Sequence, residues 1–463
     1  MARTRRFSRY IGRRGRGAMK PHVFLERLAE TDFANPYGRV RKVTAGMVEA
    51  SGPVGQLGDL CDIECISADG HGIQLVPAEI AAVDERRIIL IPLEQDMAIR
   101  LDAKVVARPR HGRVAVGDGF AGRAVNALGQ PIDGGAKVRA DAHVPLGGSV
   151  PKPMERADPS RVLQTGLRAI DGLLTLGVGQ RVGIFAASGV GKTSVMEQLA
   201  TQAGSDRTIL CLVGERGREV EALWRLLSAR EDAGRFTLVA ATSDESAALR
   251  VRSVQYALCL ADYWRSRGEH VVLMIDSVTR MAMALREIGL AAGAPPTVRA
   301  YTPNVFAALP RIVERCGALA GGGAISAIMT VLSETDDVDD PIVELMKSLL
   351  DGHIILSRTL AEQGHFPAID IARSISRQSE RLVSASHAGA MREAAAMLAV
   401  YDDARVMIES GVYKTGSNPA VDRAIAARDH LRDFLRQTRH EQTMLVDTVE
   451  RLRDIVGKVA AYA

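Results

Sequence analysis

The stretch AASGVGKTS, Ala186 to Ser194, has the composition of a loop that wraps a phosphate chain. Gly189 and Gly191 free the backbone to turn its N–H groups toward phosphate oxygens. Lys192 would reach the β- and γ-phosphates, and Thr193 would offer its hydroxyl to Mg²⁺. Ser188, Val190 and Ser194 complete the wrap around a nucleotide such as ATP. The strict pattern, G-x-x-x-x-G-K-[ST], asks for glycine where this chain has Ala186. RVGIFAA before the loop reads as a strand and TSVMEQLATQ after it as a helix. Ala186 then falls at the strand's end, where its methyl need not touch phosphate. The helix start adds positive potential behind the phosphates.

Three more side chains suit the same chemistry. The apolar run VVLMIDS closes with Asp276, whose carboxylate would hold Mg²⁺, often through water. GERGRE follows the run TILCLV and puts Glu215 at a strand's carboxyl end, placed to polarise an attacking water. Such assistance contributes about 10²–10⁴-fold. The other reading of Glu215 is a surface ion pair with Arg216 or Arg218. SISR supplies Arg377, a guanidinium able to offset charge developing at the γ-phosphate. A structural salt bridge is the alternative, and the sequence does not say which active site Arg377 serves.

These residues need a scaffold. Six apolar runs recur with helical stretches between them: RVGIFAA, TILCLVGE, FTLVAATS, VVLMIDS, AISAIMTVL and HIILSR. Alternation of this kind predicts an α/β domain, a mostly parallel sheet with helices on both faces. Ligands bind such sheets at the carboxyl ends of the strands. All the catalytic candidates except Arg377 follow one of these runs directly. Before them, short β-rich runs separated by turns predict a small barrel or sandwich over residues 21–97, opened by a short helix near residues 21–28. The ATPase domain is expected over 98–380 and a helical domain over 381–463. Near the end, Leu445, Val449, Leu452, Val456 and Val459 form a narrow apolar stripe. It packs either on the protein's own core or on a partner helix.

The chain has 463 residues, a net charge of +4 and five cysteines at irregular spacing, which reads as a cytoplasmic protein with buried, reduced thiols. No apolar run is long enough for a membrane span, and no secretory signal is expected. The first twenty residues are strongly basic, a tail expected to be disordered unless translation starts at Met19. The acidic run DDVDDP, Asp336 to Pro341, reads as a solvated turn.

The segments GRAVNALGQPIDG, TGLRAIDGLLTLGVGQRVGIFAASGVGKT, LVGERGREV, PPTVRAYTPNVFAALPRIVER, LLDGHIILSR and PAIDIARSISR together carry a resemblance. From about residue 36 onward the chain resembles the export ATPases of the bacterial flagellum and of type III secretion systems, within the rotary-ATPase α/β catalytic subunits. The resemblance implies an N-terminal β-barrel, a RecA-like P-loop core and a C-terminal helical domain. It implies the roles given above for Lys192, Thr193, Glu215 and Asp276. Arg377 falls on the family's arginine finger, which acts across a subunit boundary. Arg216 would help orient the phosphates, Tyr413 would stack on the adenine, and Ala294 to Thr302 would face a central pore. The implied partners are copies of the chain in a homohexamer, a peripheral regulator at the N-terminal helix, a coiled-coil stalk protein, export chaperones with their substrates, and a membrane export gate. That places the protein in the cytoplasm at the inner membrane, without a specific nucleic acid. Ala187, Lys347 and Asn418 depart from common family choices without removing a catalytic group.

Three engines compete: an export ATPase of flagellar or injectisome type, an F- or V-type synthase subunit, and an RNA translocase like Rho. Glu215 and Arg377 occur in one chain, so identical copies can complete each other's sites. Aromatic residues are only 4% of the chain, which leaves little for the base stacking an RNA-binding barrel needs. The reading is an ATP hydrolase that drives protein export, with flagellar export preferred.

Overall fold

The computed structural model describes residues 37–460 apart from 45, 67–71, 95–97, 109–111 and 333–339. The expected basic tail, the helix at 21–28 and most of the acidic run lie outside the described residues.

Six strands close an N-terminal barrel: β1 (Tyr37–Thr44), β2 (Met47–Ala50), β3 (Leu60–Ile66), β4 (Ile73–Val83), β5 (Ile88–Pro92) and β6 (Lys104–Ala107). Their order around the barrel is β1-β2-β5-β4-β3-β6. Inward and outward residues alternate, as a pleated wall requires. In β3, Cys61, Ile63 and Cys65 face in, where they meet Val76, Leu90 and Val105. The expected boundary at residue 97 is too early. β6 pairs with both β1 and β3 and is the strand that closes the wall. Its four residues, KVVA, are too few to stand out as a strand in sequence.

The barrel rests on the central domain through Ile91 and Leu93, packed with Ala248 and Leu249. Arg252 and Glu79 form an ion pair of 3.1 Å across the same boundary.

The central sheet contains β7 (Arg123–Asn126), β8 (Arg181–Ala186), β9 (Arg207–Glu215), β10 (Phe236–Thr242), β11 (His270–Asp276), β12 (Ala324–Leu332), β13 (Gly352–Leu356) and β14 (Ile369–Ser376). Their order is β14-β13-β8-β12-β11-β9-β10-β7. The pairs are parallel except β13 with β14. The six apolar runs are β8 to β13. The helices of this domain include α1 (Arg168–Leu173), α2 (Lys192–Gln202), α3 (Gly217–Ser228), α4 (Ala247–Arg265), α5 (Val278–Ala291), α6 (Pro303–Arg315) and α7 (Pro341–Leu349). Strand residues alternate between two cores. In β9, Ile209, Cys211 and Val213 pack with residues of α4 to α7, while Leu210 and Leu212 pack with residues of α2 and α3. Burial on both faces explains why these strands read as continuous apolar runs.

The C-terminal helices are α8 (Ala385–Glu409), α9 (Pro419–Leu435) and α10 (Leu445–Ala460). The α10 stripe packs on the protein's own core: Leu452, Val456 and Val459 are buried with Leu431 and Phe434 of α9 and Ala394 of α8. All five cysteines are free and buried. No helix among the described residues is long and apolar enough to cross a membrane.

Candidate active site

β8 delivers the phosphate loop. Ala186 is its last residue, and its methyl is packed in the core with Val190 and Leu199, only 2% exposed. The missing glycine therefore costs nothing on the loop side. Gly189 and Gly191 have φ of +81° and +92°, a region that L side chains rarely adopt. Gly191 caps α2, whose first free N–H groups border the loop.

Sheet order brings the acidic residues to the lysine. β11 lies between β9 and β12, with Leu212 opposite Asp276, so Glu215 and Asp276 emerge at the same sheet edge. The Lys192 ammonium donates to the Asp276 carboxylate and lies 3.8 Å from Glu215 Oε1. Thr330 Oγ1 donates to Asp276 Oδ1 at 2.6 Å. Arg280, in the first turn of α5, has Nη2 3.3 Å from Glu215 Oε2 and also donates to the Gly214 carbonyl. The surface ion-pair reading of Glu215 is thereby set aside. Its partners are Lys192 and Arg280, not Arg216 or Arg218.

Glu215 is buried, and its Oε1 accepts no hydrogen bond among the described residues. Burial pushes its carboxyl up to about 7, helped by the Asp276 charge and opposed by Lys192 and Arg280. A carboxylate with that affinity for protons and one free oxygen suits a group that must orient and polarise water near neutral pH.

Thr193, Glu215 and Asp276 line one cavity of about 130 Å³. A hydroxyl and a carboxylate are hard oxygen donors. They fit Mg²⁺, which takes one or two protein ligands and completes its shell with phosphates and water.

A second cavity, of about 540 Å³, opens on the other side of the loop and is lined by Gly191, Ser194, Phe366, Gln437 and Arg439 among others. The Phe366 ring sits against the loop. A Cβ built at Gly191 would lie 3.4 Å from it. Tyr413 is not among the residues around this cavity. Its hydroxyl donates to Asn418 O and Asp422, both at 3.0 Å, and holds the turn into α9. Tyr413 is thus not brought to the loop, and the aromatic ring that lines this cavity is that of Phe366. Phe366 directly precedes the PAIDIARSISR segment, the signal that could have found it. Arg280 likewise stands four residues after Asp276, one turn into the next helix.

The other predicted residues are placed as follows. Ser188 and Gly189 are exposed at the loop tip, and Val190 is buried beneath it. Ser194 Oγ accepts from Arg439 at 2.7 Å. Arg216 caps α3 and lies 3.8 Å from Glu219, with its side chain two-thirds exposed. Arg377 is exposed just past β14 and donates to the Lys347 carbonyl at 3.3 Å. It is not brought to the loop of its own chain.

A parallel sheet with a phosphate loop, a catalytic-type glutamate and an aspartate at its carboxyl edge defines a P-loop nucleotide hydrolase. Comparison with known proteins agrees and goes further. Residues 166–376 match the ATP synthase alpha/beta family nucleotide-binding domain. Residues 383–454 match the T3SS EscN ATPase C-terminal domain. The flagellum-specific ATP synthase of Bacillus subtilis is 40% identical over 95% of this chain and 99% of its own length. The type 3 secretion system ATPase of Xanthomonas euvesicatoria is 38% identical over 93% and 97%. The assembled ATPase EscN of the enteropathogenic E. coli type III secretion system superposes with a TM-score of 0.84 at 36% identity, over 90% of this chain and all of that one. The chain belongs to the flagellar and type III secretion ATPases of the ATP synthase alpha/beta family, and it is an ATPase.

Proposed function

We propose that the protein hydrolyses MgATP at the interfaces of a homohexamer to energise protein export through a flagellar-type apparatus. The observation that carries the shared site is the position of Arg377. In register, Val182 of β8 stands opposite Gly352 of β13, and Gly352 opposite Ser376 of β14. Arg377 thus follows the amino-terminal end of β8, whereas the phosphate loop follows its carboxyl end. Four residues along a strand and two strand spacings separate them by roughly 16 Å, beyond a side chain's reach. An arginine so placed serves a neighbouring copy.

In the mechanism, the loop amides and Lys192 hold the phosphates, the ammonium passing from the carboxylates to the incoming anion. Thr193 and Asp276 would hold Mg²⁺, which would supply neutralisation of the phosphate charge. Glu215 orients water and takes up its proton. Arg280 keeps Glu215 in place, and the neighbour's Arg377 offsets charge on the transferring group. Phe366 supplies the apolar face for the base.

The solved EscN in complex with its central stalk EscO, with a TM-score of 0.81, supports a stalk protein in the ring, expected here to be a coiled coil. The loop Ala294 to Thr302 and the C-terminal helices would transmit motion to it. The peripheral regulator, the chaperone–substrate pairs and docking at the inner-membrane export gate complete the reading.

The test is ATP hydrolysis per mole over a wide range of protein concentration. A rate per chain that climbs steeply supports shared sites. Mixing inactive Arg377→Ala and Glu215→Gln chains should then restore part of the activity. A rate per chain independent of concentration, with no rescue on mixing, would refute the shared site.

A further inference from the structure

We propose that Arg439 is a further nucleotide-binding residue, its guanidinium lying against a face of the base of the bound nucleotide. This deepens the ATPase reading above and rests on it.

The cavity of about 540 Å³ is of the size that takes a small ligand. One part of its wall is the start of α2, through Gly191 and Ser194. Another comes from the segment between α9 and α10, residues 436–444. The backbone of that segment is held from many directions. Gln437 N donates to Phe366 O at 2.9 Å. Gln198 Nε2 donates to Thr438 O at 3.0 Å and Gln202 Nε2 to Glu441 O at 3.3 Å. Arg168, itself buried, donates to Phe434 O at 2.7 Å, to the Arg436 carbonyl and to the Glu441 carboxylate. The segment is a fixed mount.

Arg439 projects from this mount and is half exposed. It donates to Ser194 Oγ at 2.7 Å and lies 3.3 Å from Glu197 Oε2. Both contacts are to α2, and the Glu197 end is largely buried, so they hold the half-exposed guanidinium at the wall of the cavity that Phe366 also lines, where an entering base can meet it. Guanidinium planes stack flat on π faces, whereas a lysine ammonium meets such a face only as a compact, strongly hydrated point charge.

The base edge has less to meet. The Gln437 amide accepts from Arg168 N at 2.9 Å and donates to Gly166 O and Glu441 O at 2.7 and 2.8 Å. Both of its N–H donors are spent on the protein. The contact proposed for Arg439 is with the base's face.

The experiment compares equilibrium binding of MgATP and of magnesium tripolyphosphate, which has no base, to the full chain and to Arg439→Ala and Arg439→Lys. A stacking contact of the cation–π kind predicts about tenfold weaker MgATP binding for Arg439→Ala. Tripolyphosphate binding should stay within about twofold by the same reasoning, since no base is present. Arg439→Lys should recover only a minor part of the loss, and the effect should appear in KM more than in kcat. Equal weakening of both ligands would overturn the proposal in favour of a phosphate contact or a structural role. No weakening of either, or full recovery by lysine, would also overturn it. A wild-type chain that neither binds nor hydrolyses MgATP would instead refute the ATPase reading itself.

Discussion

The pairing of Arg280 with Glu215 makes a quantitative prediction about pH. Glu215 must be ionised to draw a proton from water, and its carboxyl titrates at about 7. On the acid side, kcat/KM should therefore fall with a midpoint near that value, by tenfold per unit once well below it. Replacing Arg280 with glutamine removes a cation 3.3 Å from Glu215 Oε2. At the dielectric of water, one charge at that distance is worth about 1.3 kcal/mol, or about one pH unit, and partial burial makes the effect larger. The lost cation favoured the ionised form, so its removal raises the carboxyl pKa. The acid limb of Arg280→Gln should move up by about one unit or more. Arg280→Lys keeps the charge and should move it less. In Glu215→Gln the limb should flatten, with the rate down by about 10²–10⁴-fold. The assay is initial-rate hydrolysis under first-order conditions in substrate, from pH 5.5 to 9. An acid limb that stays put or moves down in Arg280→Gln would refute this electrostatic reasoning, whatever the change in absolute rate.

Two other outcomes follow from the geometry. Phe366→Ala should raise KM for MgATP by roughly tenfold, the worth of one lost base–aromatic stack, whereas Tyr413→Phe should leave KM unchanged; steady-state kinetics of the two variants side by side decide it. Arg168→Ala removes a buried guanidinium and strands the acceptors around it, so stability should fall by about 3–5 kcal/mol, read as the loss of a cooperative thermal transition at its usual temperature with the C-terminal helices released first in hydrogen exchange.

The parts of the fold that could be read from sequence were those with a strong local pattern. β8 to β13 are buried on both faces, so each is an unbroken apolar run with its polar residue at the end. The phosphate loop, Glu215 and Asp276 were legible for the same reason. β7 and β14 were not. RAVN is short, and IDIARSIS is an antiparallel edge strand whose outer residues are exposed. The sixth barrel strand was missed because ring closure is a long-range property that four residues cannot announce. The base cavity was the hardest part. Phe366 and Arg439 belong to different domains and approach the loop only through tertiary docking, so no spacing relates them to Lys192. The role expected of Tyr413 rests on the family resemblance alone, and in the structure its hydroxyl closes the turn into α9 through Asn418 and Asp422.

The stitching of residues 436–444 onto α1 and α2 has a bearing on how the protein is made. Arg439 follows its partner Ser194 by 245 residues. A chain emerging from the ribosome exposes the phosphate loop, both carboxylates and the sheet long before that segment appears. Until almost the last residues are out, it has a place for phosphates and only half a place for the nucleoside. The nascent chain thus has its phosphate loop and both carboxylates before one wall of the neighbouring cavity exists, and a message truncated near its end would yield a chain with its catalytic candidates intact but without that wall.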